Sequence, residues 1–371
     1  MAMDRIAIIG AGPGGLMLAR LLQLGGRSPV IFERDAHAEE RPQGGSLDLH
    51  GATGQRAMRL AGLETEFTAV ARPEDQGDRL YDVDGTLLFD RNEPADDRPE
   101  IDRTMLRGIL LDSLTPGTVN WAHRVVEIIP VDDSFAVCGD GWCEQFDVIV
   151  GADGAWSRVR PLLCDAVPVY EGVTLVELGF DVERHPAVDA LTGRGKMFAV
   201  GDNRVLITQR NGKGHIRGYV GLRLDEATAR NWQALSPETV RTTLREAFAG
   251  WAPSLREMIE TGEFIAVRPL YALPVGHHWT SRPGLSLLGD AAHLMSPFSG
   301  EGVNLALADA VDLAEALISG RSWRAVADYE GVMVARAAVA AEGAAEGLNG
   351  AFSSEGAAPI LEHYRARLNG S

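Results

Sequence analysis

The fold is decided by one stretch near the start of the chain, Arg5-Ile-Ala-Ile-Ile-Gly-Ala-Gly-Pro-Gly-Gly-Leu-Met-Leu-Ala19. Its apolar run predicts a buried parallel strand, and the glycines that follow match the pattern G-x-G-x-x-G. In that pattern Gly10 permits a tight turn, Gly12 lets a pyrophosphate approach the backbone, and Gly15 lets the helix pack closely on the strand. The N–H groups at the start of the helix would then face the phosphates. The stretch therefore predicts a strand-turn-helix unit that binds a dinucleotide.

A second predicted strand, Pro29-Val-Ile-Phe-Glu33, strengthens this interpretation because it ends in an acid. Glu33 lies 23 residues beyond Gly10, close to the ~20-residue offset expected for the carboxylate that binds a ribose hydroxyl. The alternative, an ordinary βαβ unit with a surface glutamate, is less favoured by this spacing. The two motifs together predict a Rossmann-like domain, but they do not say which dinucleotide it binds.

The composition is typical of a globular enzyme with an acidic surface. The 371 residues are enough for two domains, and 35 basic against 52 acidic residues give a net charge of −17. Such a charge disfavours nucleic acid and anionic lipid as partners. No apolar stretch approaches the ~18 residues of a membrane span, and no leader precedes the first strand. We therefore expect a cytoplasmic protein without membrane contact, which we take to be a monomer.

The three cysteines, Cys138, Cys143 and Cys164, do not have the spacing of metal ligands. In a reducing cytoplasm we expect them to be free thiols. The adjacent His277 and His278 have no cysteine or acidic cluster around them, so we expect no metal site there either.

The middle of the chain changes character. Short alternating runs over residues 167–267, separated by glycine and asparagine, predict an antiparallel sheet inserted into the dinucleotide-binding fold. Before them, a buried strand leads to Asp153-Gly154, a second strand-to-glycine turn that suits phosphate or ribose contacts. A helix predicted over residues 101–114 carries Arg103 in its first turn, where a cation opposes the helix dipole. That placement hints at a function, although an exposed arginine is the commoner explanation.

The last informative stretch is Leu285-Ser-Leu-Leu-Gly-Asp-Ala-Ala-His-Leu-Met-Ser-Pro-Phe-Ser-Gly-Glu-Gly-Val-Asn-Leu305. An apolar strand ends in Gly289-Asp290, and a loop with Pro297 and Phe298 precedes a helix that opens at residues 300–304. Beyond it the chain is alanine-rich and predicted to be helical to its end.

Taken together, these motifs resemble the single-component FAD-dependent aromatic hydroxylases of the p-hydroxybenzoate hydroxylase type. The resemblance covers roughly the entire chain and combines the glycine pattern with Glu33-Arg34, Arg103-x-x-Leu106, Asp153-Gly154 and Gly289-Asp290. Two stretches are most similar to the tetracycline-inactivating monooxygenases of that group: Gly44-Gly-Ser-Leu-Asp-Leu-His50, and Gly289-Asp-Ala-Ala-His-Leu-Met295 followed by Pro297-Phe298.

The resemblance implies FAD as the cofactor and a set of residues that would hold it. The glycine loop would bind the pyrophosphate, Glu33 the adenosine ribose and Asp290 the ribityl chain. The helix that opens near Gly302 would point its positive end at the pyrimidine side of the flavin and favour the anionic reduced ring. Glu301 at that helix start is either a favourable cap or a residue that lowers the flavin potential, and the sequence does not choose between them. The full implied set is Gly10, Gly12, Gly15, Glu33, Arg34, Asp48, Arg103, Asp153, Asp290, Gly302 and Asn304.

The implied chemistry needs neither a metal nor a catalytic side chain, because the cofactor carries it. NADPH or NADH would reduce FAD, O2 would add to the reduced ring, and the flavin hydroperoxide would hydroxylate an electron-rich substrate. No second G-x-G-x-x-G pattern is present for a resident nicotinamide cofactor, so NADPH or NADH is expected to bind only transiently.

The resemblance also implies four substrate-binding residues, Arg204, Tyr219, Pro297 and Phe298. Arg204 matches by position one of the polar residues of the inserted sheet that hold the antibiotic in the tetracycline-directed enzymes. The glutamine expected in the first inserted strand is absent, with Gly179 or its neighbours in its place, and Tyr219 replaces a pocket histidine. These departures weaken the transfer of the substrate without affecting the flavin chemistry.

We therefore predict an α/β fold, with a Rossmann-like FAD-binding domain (1–72, 97–166 and 268–320), an inserted antiparallel-sheet substrate domain (73–96 and 167–267) and a C-terminal helical segment (321–371). The predicted function is NAD(P)H- and O2-dependent hydroxylation of a bulky aromatic or polyketide-like small molecule, with tetracyclines as the favoured single guess. Two alternatives stay open: a flavin-dependent reductase or dehydrogenase without oxygen insertion, and a flavin-bearing protein that sequesters its ligand without turnover. The exact substrate, the hydroxylation position, the NADH or NADPH preference and the oligomeric state are not determined by the sequence.

Overall fold

The computed structural model describes residues 5–40, 44–92, 98–319 and 322–369, with side chains up to residue 366. Its strands are β1 (Ile6–Ile9), β2 (Val30–Phe32), β3 (Ser46–Asp48), β4 (Gly77–Tyr81), β5 (Leu87–Arg91), β6 (Glu100–Asp102), β7 (Val119–Asn120), β8 (Val125–Val131), β9 (Ser134–Gly139), β10 (Trp142–Phe146), β11 (Val148–Gly151), β12 (Val169–Asp181), β13 (Gly195–Gly201), β14 (Arg204–Arg210), β15 (His215–Arg223), β16 (Glu263–Ala272) and β17 (Leu285–Leu287). Its α-helices are α1 (Pro13–Leu24), α2 (Gly54–Leu60), α3 (Glu64–Thr68), α4 (Arg103–Asp112), α5 (Pro186–Thr192), α6 (Glu226–Trp232), α7 (Pro237–Ala247), α8 (Pro253–Thr261), α9 (Asp290–His293), α10 (Gly302–Ile318), α11 (Arg324–Ala351) and α12 (Ala358–Asn369).

A five-stranded parallel sheet forms the first layer, in the order β17-β11-β1-β2-β7. Its central residues, such as Ile8, Ile31 and Ile149, are fully buried, as expected for parallel strands that are covered on both faces. The helix α1 packs against α10 and α4. The predicted α/β fold with a Rossmann-like core is confirmed.

A seven-stranded sheet forms the second layer, in the order β16-β12-β15-β14-β13-β4-β5. Its neighbouring strands are antiparallel except for β13 and β4, which run parallel. One face, which we call the outer face, is buried with Val176 and Leu206 in the same apolar cluster as Met258 of α8. The opposite face, which we call the inner face, packs Val205 with Phe352 and Tyr364 of the C-terminal segment.

The expectation of three free thiols is wrong for two of the cysteines. Cys138 and Cys143 lie directly opposite each other in the β9–β10 hairpin, and their sulfur atoms form a disulfide bond. Side chains that face each other across an antiparallel pair are close enough for such a bond, which the sequence spacing did not reveal. Cys164 is a free, half-buried thiol.

Candidate active site

In the glycine motif of β1 and α1, two glycines have no room for a side chain and the third has open space beside it. A Cβ atom at Gly10, whose φ is +107°, would lie 2.4 Å from the carbonyl oxygen of Ala152, and one at Gly15 would lie 2.3 Å from the carbonyl oxygen of Gly10. At Gly12 a Cβ atom would meet nothing within 4 Å. The loop therefore needs glycine at two positions for packing and leaves open space beside the third, where α1 begins. This geometry fits a pyrophosphate group.

Glu33 lies against this loop. It is buried, and its Oε2 accepts a hydrogen bond of 2.7 Å from the N–H of Ala11, while Oε1 accepts one from the N–H of Asp35. The carboxylate is thus fixed at the end of β2, beside the dinucleotide loop. Arg34, the next residue, is exposed.

Arg107 is a residue of this region that the sequence analysis missed. It is buried in α4, its Nε donates to the carbonyl oxygen of Ala11 and its Nη1 to that of Ala38, and its guanidinium lies 5.4 Å from the ring centre of Trp121. The signal that could have revealed it is a charged residue within the apolar stripe of a helix. Arg107 ties α4 to the glycine loop.

Three sequence-predicted residues gather at the carboxyl edge of the parallel sheet, because β1, β11 and β17 are neighbours. Gly10 follows β1, Asp153 follows β11, and Asp290 begins α9 just beyond β17. The Oδ2 atom of Asp153 accepts a 2.6 Å hydrogen bond from the N–H of Arg158, and burial raises the pKa of this carboxyl. Asp290, by contrast, is exposed. Ligands of open parallel sheets bind at this edge.

Asn304 joins the start of α10 to the end of β3. Its side chain is fully buried, its Nδ2 donates to the carbonyl oxygen of Asp48, and its Oδ1 accepts from the N–H of His50, both at 2.9 Å. A Cβ atom at Gly302, in the first turn of α10, would meet nothing within 4 Å. Both polar side-chain atoms of Asn304 are therefore hydrogen-bonded to the protein backbone, while Gly302 leaves open space at the helix start.

His50 lies between two carboxylates at this helix start. Its Nε2 is 3.2 Å from Oδ2 of Asp48, and its Nδ1 is 3.5 Å from Oε1 of Glu301. Burial alone would lower the pKa of His50, but the hydrogen bonds to both carboxylates raise it to about 9. Burial would raise the pKa of Asp48, whereas His50 and the charge of Lys196 hold it below its usual value.

Tyr219 lies on the inner face of the seven-stranded sheet, directly opposite Glu177 in register. The Gly44–Gly45 loop passes close to this pair: a Cβ atom at Gly45 would lie 3.2 Å from the Tyr219 hydroxyl, and one at Gly44 would lie 2.9 Å from Oε1 of Glu177. Burial raises the pKa of Tyr219. The inner face therefore meets the segment that leads to Asp48.

Glu177 forms a cluster with two arginines that the sequence analysis missed. The carboxylate is buried and pairs with Arg217 at 3.2 Å and Arg268 at 2.9 Å. Arg103, at the start of α4, is exposed, and its backbone N–H donates to the carbonyl oxygen of Gly45. A glutamate inside the apolar run of β12 was the available signal for this cluster.

Phe298 and Tyr219 pack against the same apolar cluster on the inner face. Phe298 lies in a short turn of 3-10 helix, Pro297–Ser299, and its ring meets that of Phe352 edge-on, with 5.8 Å between ring centres. Pro297 is exposed on this turn. The structure thus brings Tyr219 and Phe298 together.

The structure does not bring Arg204 to this place. Arg204 shares its side of β14 with Leu206, which is buried on the outer face, and its guanidinium lies 6.0 Å from the ring centre of Phe248. Alternate residues of a strand point to opposite faces. The inner-face residues of β14 are therefore Val205 and Ile207, and Arg204 lies on the far side of the sheet from Tyr219.

Two kinds of feature are absent from the described residues. None of their helices is long and apolar enough to cross a membrane. No group of three or more histidine, cysteine, aspartate or glutamate side chains among them could hold a metal ion.

Comparison with known proteins agrees with this geometry. A protein-family model described as FAD binding domain matches residues 4–328. Among curated proteins, the monooxygenase asqM of Emericella nidulans is 32% identical, over 84% of this chain and 83% of its own length.

Solved structures show the same fold. Klebsiella pneumoniae HpxO, crystallised with FAD and uric acid, matches with a TM-score of 0.81 and 21% identity, covering 99% of this chain and 93% of the other. A tetracycline destructase matches with a TM-score of 0.78 and 21% identity, covering 99% of this chain and 95% of the other.

Proposed function

We propose that this chain uses NADPH or NADH and O2 to hydroxylate a bulky aromatic or polyketide-like molecule. The chain belongs to the FAD-binding domain family and is an FAD-dependent monooxygenase. Bound FAD would supply the electron transfer from the nicotinamide to O2 and the transfer of one oxygen atom to the substrate. The protein's own residues would bind and orient both molecules and exclude water.

The observation that carries the proposal is a set of three open features on neighbouring elements: α1 packs against α10, and Asp290 follows β17 of the parallel sheet. The three features are the space beside Gly12, the exposed Asp290, and the space beside Gly302. They suit the pyrophosphate, the ribityl hydroxyls and the pyrimidine edge of an extended FAD, respectively. Glu33 and Arg34 would hold the adenosine end, with Arg107 fixing the loop, while Asp48, Arg103 and Asp153 would line the rest.

The substrate would lie between the proposed FAD-binding elements and the inner face of the seven-stranded sheet. Tyr219 and Phe298 are partly buried there beside Phe198 and Ile207, in an apolar wall that suits a flat ring system. The Glu177–Arg217–Arg268 cluster would supply the polar contacts that orient it.

We also propose the division of the chain into an FAD-binding part (1–72, 97–166, 268–320), a substrate-binding part (73–96, 167–267) and a helical C-terminal part (321–371), although residues 93–97 and 320–321 lie outside the described residues.

Tetracyclines are the first candidates because of the motif resemblance and the shared fold of a tetracycline destructase. The test is mass spectrometry of tetracycline after incubation with the purified protein, FAD and NADPH in air. The expected product is heavier by one oxygen atom. Unchanged tetracycline, with continued slow NADPH oxidation, would exclude this substrate and direct the search to other aromatic molecules. No NADPH or NADH oxidation with any candidate would contradict the proposed function and favour a binding protein.

Two variants test the location of the substrate. Tyr219→Ala removes an inner-face side chain and should raise the KM for an accepted substrate by about tenfold, the loss of roughly 1.4 kcal/mol of binding. Arg204→Ala is the matched control on the outer face and should leave KM within about twofold. A larger effect of Arg204→Ala than of Tyr219→Ala would place the substrate elsewhere.

A further inference from the structure

We propose that His50 is a positioning residue that neutralises Glu301, so that the start of α10 presents net positive potential to the reduced flavin. The inference rests on the proposed placement of the flavin's pyrimidine edge at this helix start. It assigns a role to Glu301, whose function the sequence left undecided.

Glu301 does not cap the helix that it precedes. It occupies the N-cap position of α10, yet its side chain accepts no hydrogen bond from the first-turn N–H groups. Its Oε1 instead lies 3.5 Å from Nδ1 of His50, and its side chain is only one-third exposed. The capping explanation of this acid is therefore not supported by the geometry.

An unpaired carboxylate in this place would oppose the helix. The start of α10 carries the positive end of a 17-residue helix dipole, and Gly302 in its first turn leaves open space for a ligand. A carboxylate beside that space would repel an anionic reduced isoalloxazine ring. His50, as an imidazolium, offsets the charge of Glu301, while the charge of Lys196 acts on Asp48, the second carboxylate at the ring.

The surroundings favour the charged form of His50. Asp48 of β3 and Glu301 contact the ring directly, and the pKa of His50 is raised to about 9. Two further charged groups lie near Asp48. Lys196 of β13 lowers the pKa of Asp48, and Glu100 of β6 is the residue opposite Asp48 in the antiparallel register of β3 and β6. Asn304 joins the backbone of Asp48 and His50 to α10 through two half-buried hydrogen bonds, which hold the segment that carries the ring beside Glu301.

The test is the midpoint potential of the bound FAD, measured against a reference dye without substrate or nicotinamide. In His50→Gln the unpaired Glu301 should weaken the binding of reduced relative to oxidised FAD about tenfold, which lowers a two-electron potential by about 30 mV. Glu301→Gln should raise the potential by a similar amount. The double variant should return close to the wild-type value, because the pair acts as a unit.

The outcomes separate this inference from the proposed function. Unchanged potentials in Glu301→Gln and His50→Gln would overturn the inference while leaving a monooxygenase intact. If His50→Gln lost its FAD, the increase in Glu301→Gln alone would still decide the question. A wild-type protein that bound no FAD at all would contradict both.

A pH series supplies a second readout that a merely structural role would not change. As the pH rises through about 9, wild-type His50 loses its proton and the potential should fall more steeply than in His50→Gln. Equal pH dependence of the two proteins between pH 8 and 10 would contradict the proposal.

Discussion

Two histidine–carboxylate contacts lie along α10, a half-buried one at its start and a fully buried one further along, and they differ in how many carboxylates the histidine contacts. At the helix start, His50 contacts two carboxylates, Asp48 and Glu301, beside the open space at Gly302. In the second turn, Asp309 accepts a 2.6 Å hydrogen bond from Nε2 of His293.

The second site is closed. Asp309 is fully buried, and its remaining acceptor positions take hydrogen bonds from the backbone N–H of Gly289 at 3.0 Å and from Arg336 at 2.8 Å. Burial would raise the pKa of Asp309, but His293 and Arg336 hold it below its usual value. Burial would lower the pKa of His293, and Asp309 raises it instead. The carboxylate of Asp309 is thus saturated by protein donors, whereas Nδ1 of His293 has no hydrogen-bond partner among the described residues.

The comparison teaches that a buried histidine beside an acid is not by itself a functional signal. What distinguishes the two sites is the partner set: one carboxylate is shared by His293 and Arg336 in the closed site, whereas His50 contacts two carboxylates next to the open space at Gly302. The following predictions test that distinction, from the largest expected effect to the smallest.

Asp309→Ala should destabilise the protein most. It leaves His293 and Arg336 without their shared carboxylate, and breaking such a buried pair costs about 3–5 kcal/mol. The measurement is the urea concentration at half-unfolding. Asp312→Ala is the matched control, because Asp312 contacts Arg336 from the next turn of α10 but is partly exposed; it should cost about 0–1 kcal/mol. Equal losses in the two variants would show that the site is not closed in the way described.

Glu100→Gln should stabilise the protein at high pH. Burial raises the pKa of Glu100 to about 7 from its usual 4.5, and the negative charge of Asp48 adds to this shift. An acid whose folded pKa is raised destabilises the fold progressively as pH rises from 4.5 to 7, and fully above 7. The gain at pH 8 should therefore be about 3 kcal/mol, and it should nearly vanish at pH 5.

Urea unfolding at pH 8 and pH 5 measures this effect. Glu127→Gln is the control, because Glu127 is exposed and should show little change at either pH. A Glu100→Gln variant that is no more stable than wild type at pH 8 would mean that burial does not raise the pKa of Glu100 as described.

Asn304→Ala should loosen the open site at a cost of about 2 kcal/mol. It removes an acceptor for the N–H of His50 and a donor to the carbonyl oxygen of Asp48, both half-buried. The affinity for FAD should fall with stability, because the helix start and β3 would no longer be joined. Asn349→Ala, at an exposed asparagine, should change neither quantity appreciably. Unchanged FAD affinity in Asn304→Ala would argue that this helix start does not face the cofactor.

The sequence could predict the dinucleotide loop because its turn and the packing of its helix are encoded locally. Gly12 and Gly15 act within one strand-turn-helix unit, whereas the close approach of Gly10 to Ala152 is a distant contact that the spacing does not show. The fold class followed from the same logic of strand and helix patterns, and the resemblance to flavin monooxygenases rested on several such local motifs in order.

The substrate face could not be predicted in the same way, because it depends on strand register. A shift of one residue moves a side chain to the opposite face of a sheet, and this decides that Arg204 is on the outer face while Tyr219 is on the inner one. The sequence also does not reveal contacts between residues that are distant along the chain. His50 and Glu301 were each visible in a motif, but only the folded chain shows that they are partners.

The claim that the start of α10 carries a protonated histidine is tested most directly by an NMR titration of the histidine ring protons in the FAD-loaded enzyme. Spectra of His50→Gln and His293→Gln would assign the two resonances. The resonance of His50 should titrate near pH 9, well above the ordinary value of 6.5. A His50 resonance that titrates at or below pH 6.5 would contradict the claim, because the ring would then be neutral at physiological pH and Glu301 would face the flavin with its charge uncompensated.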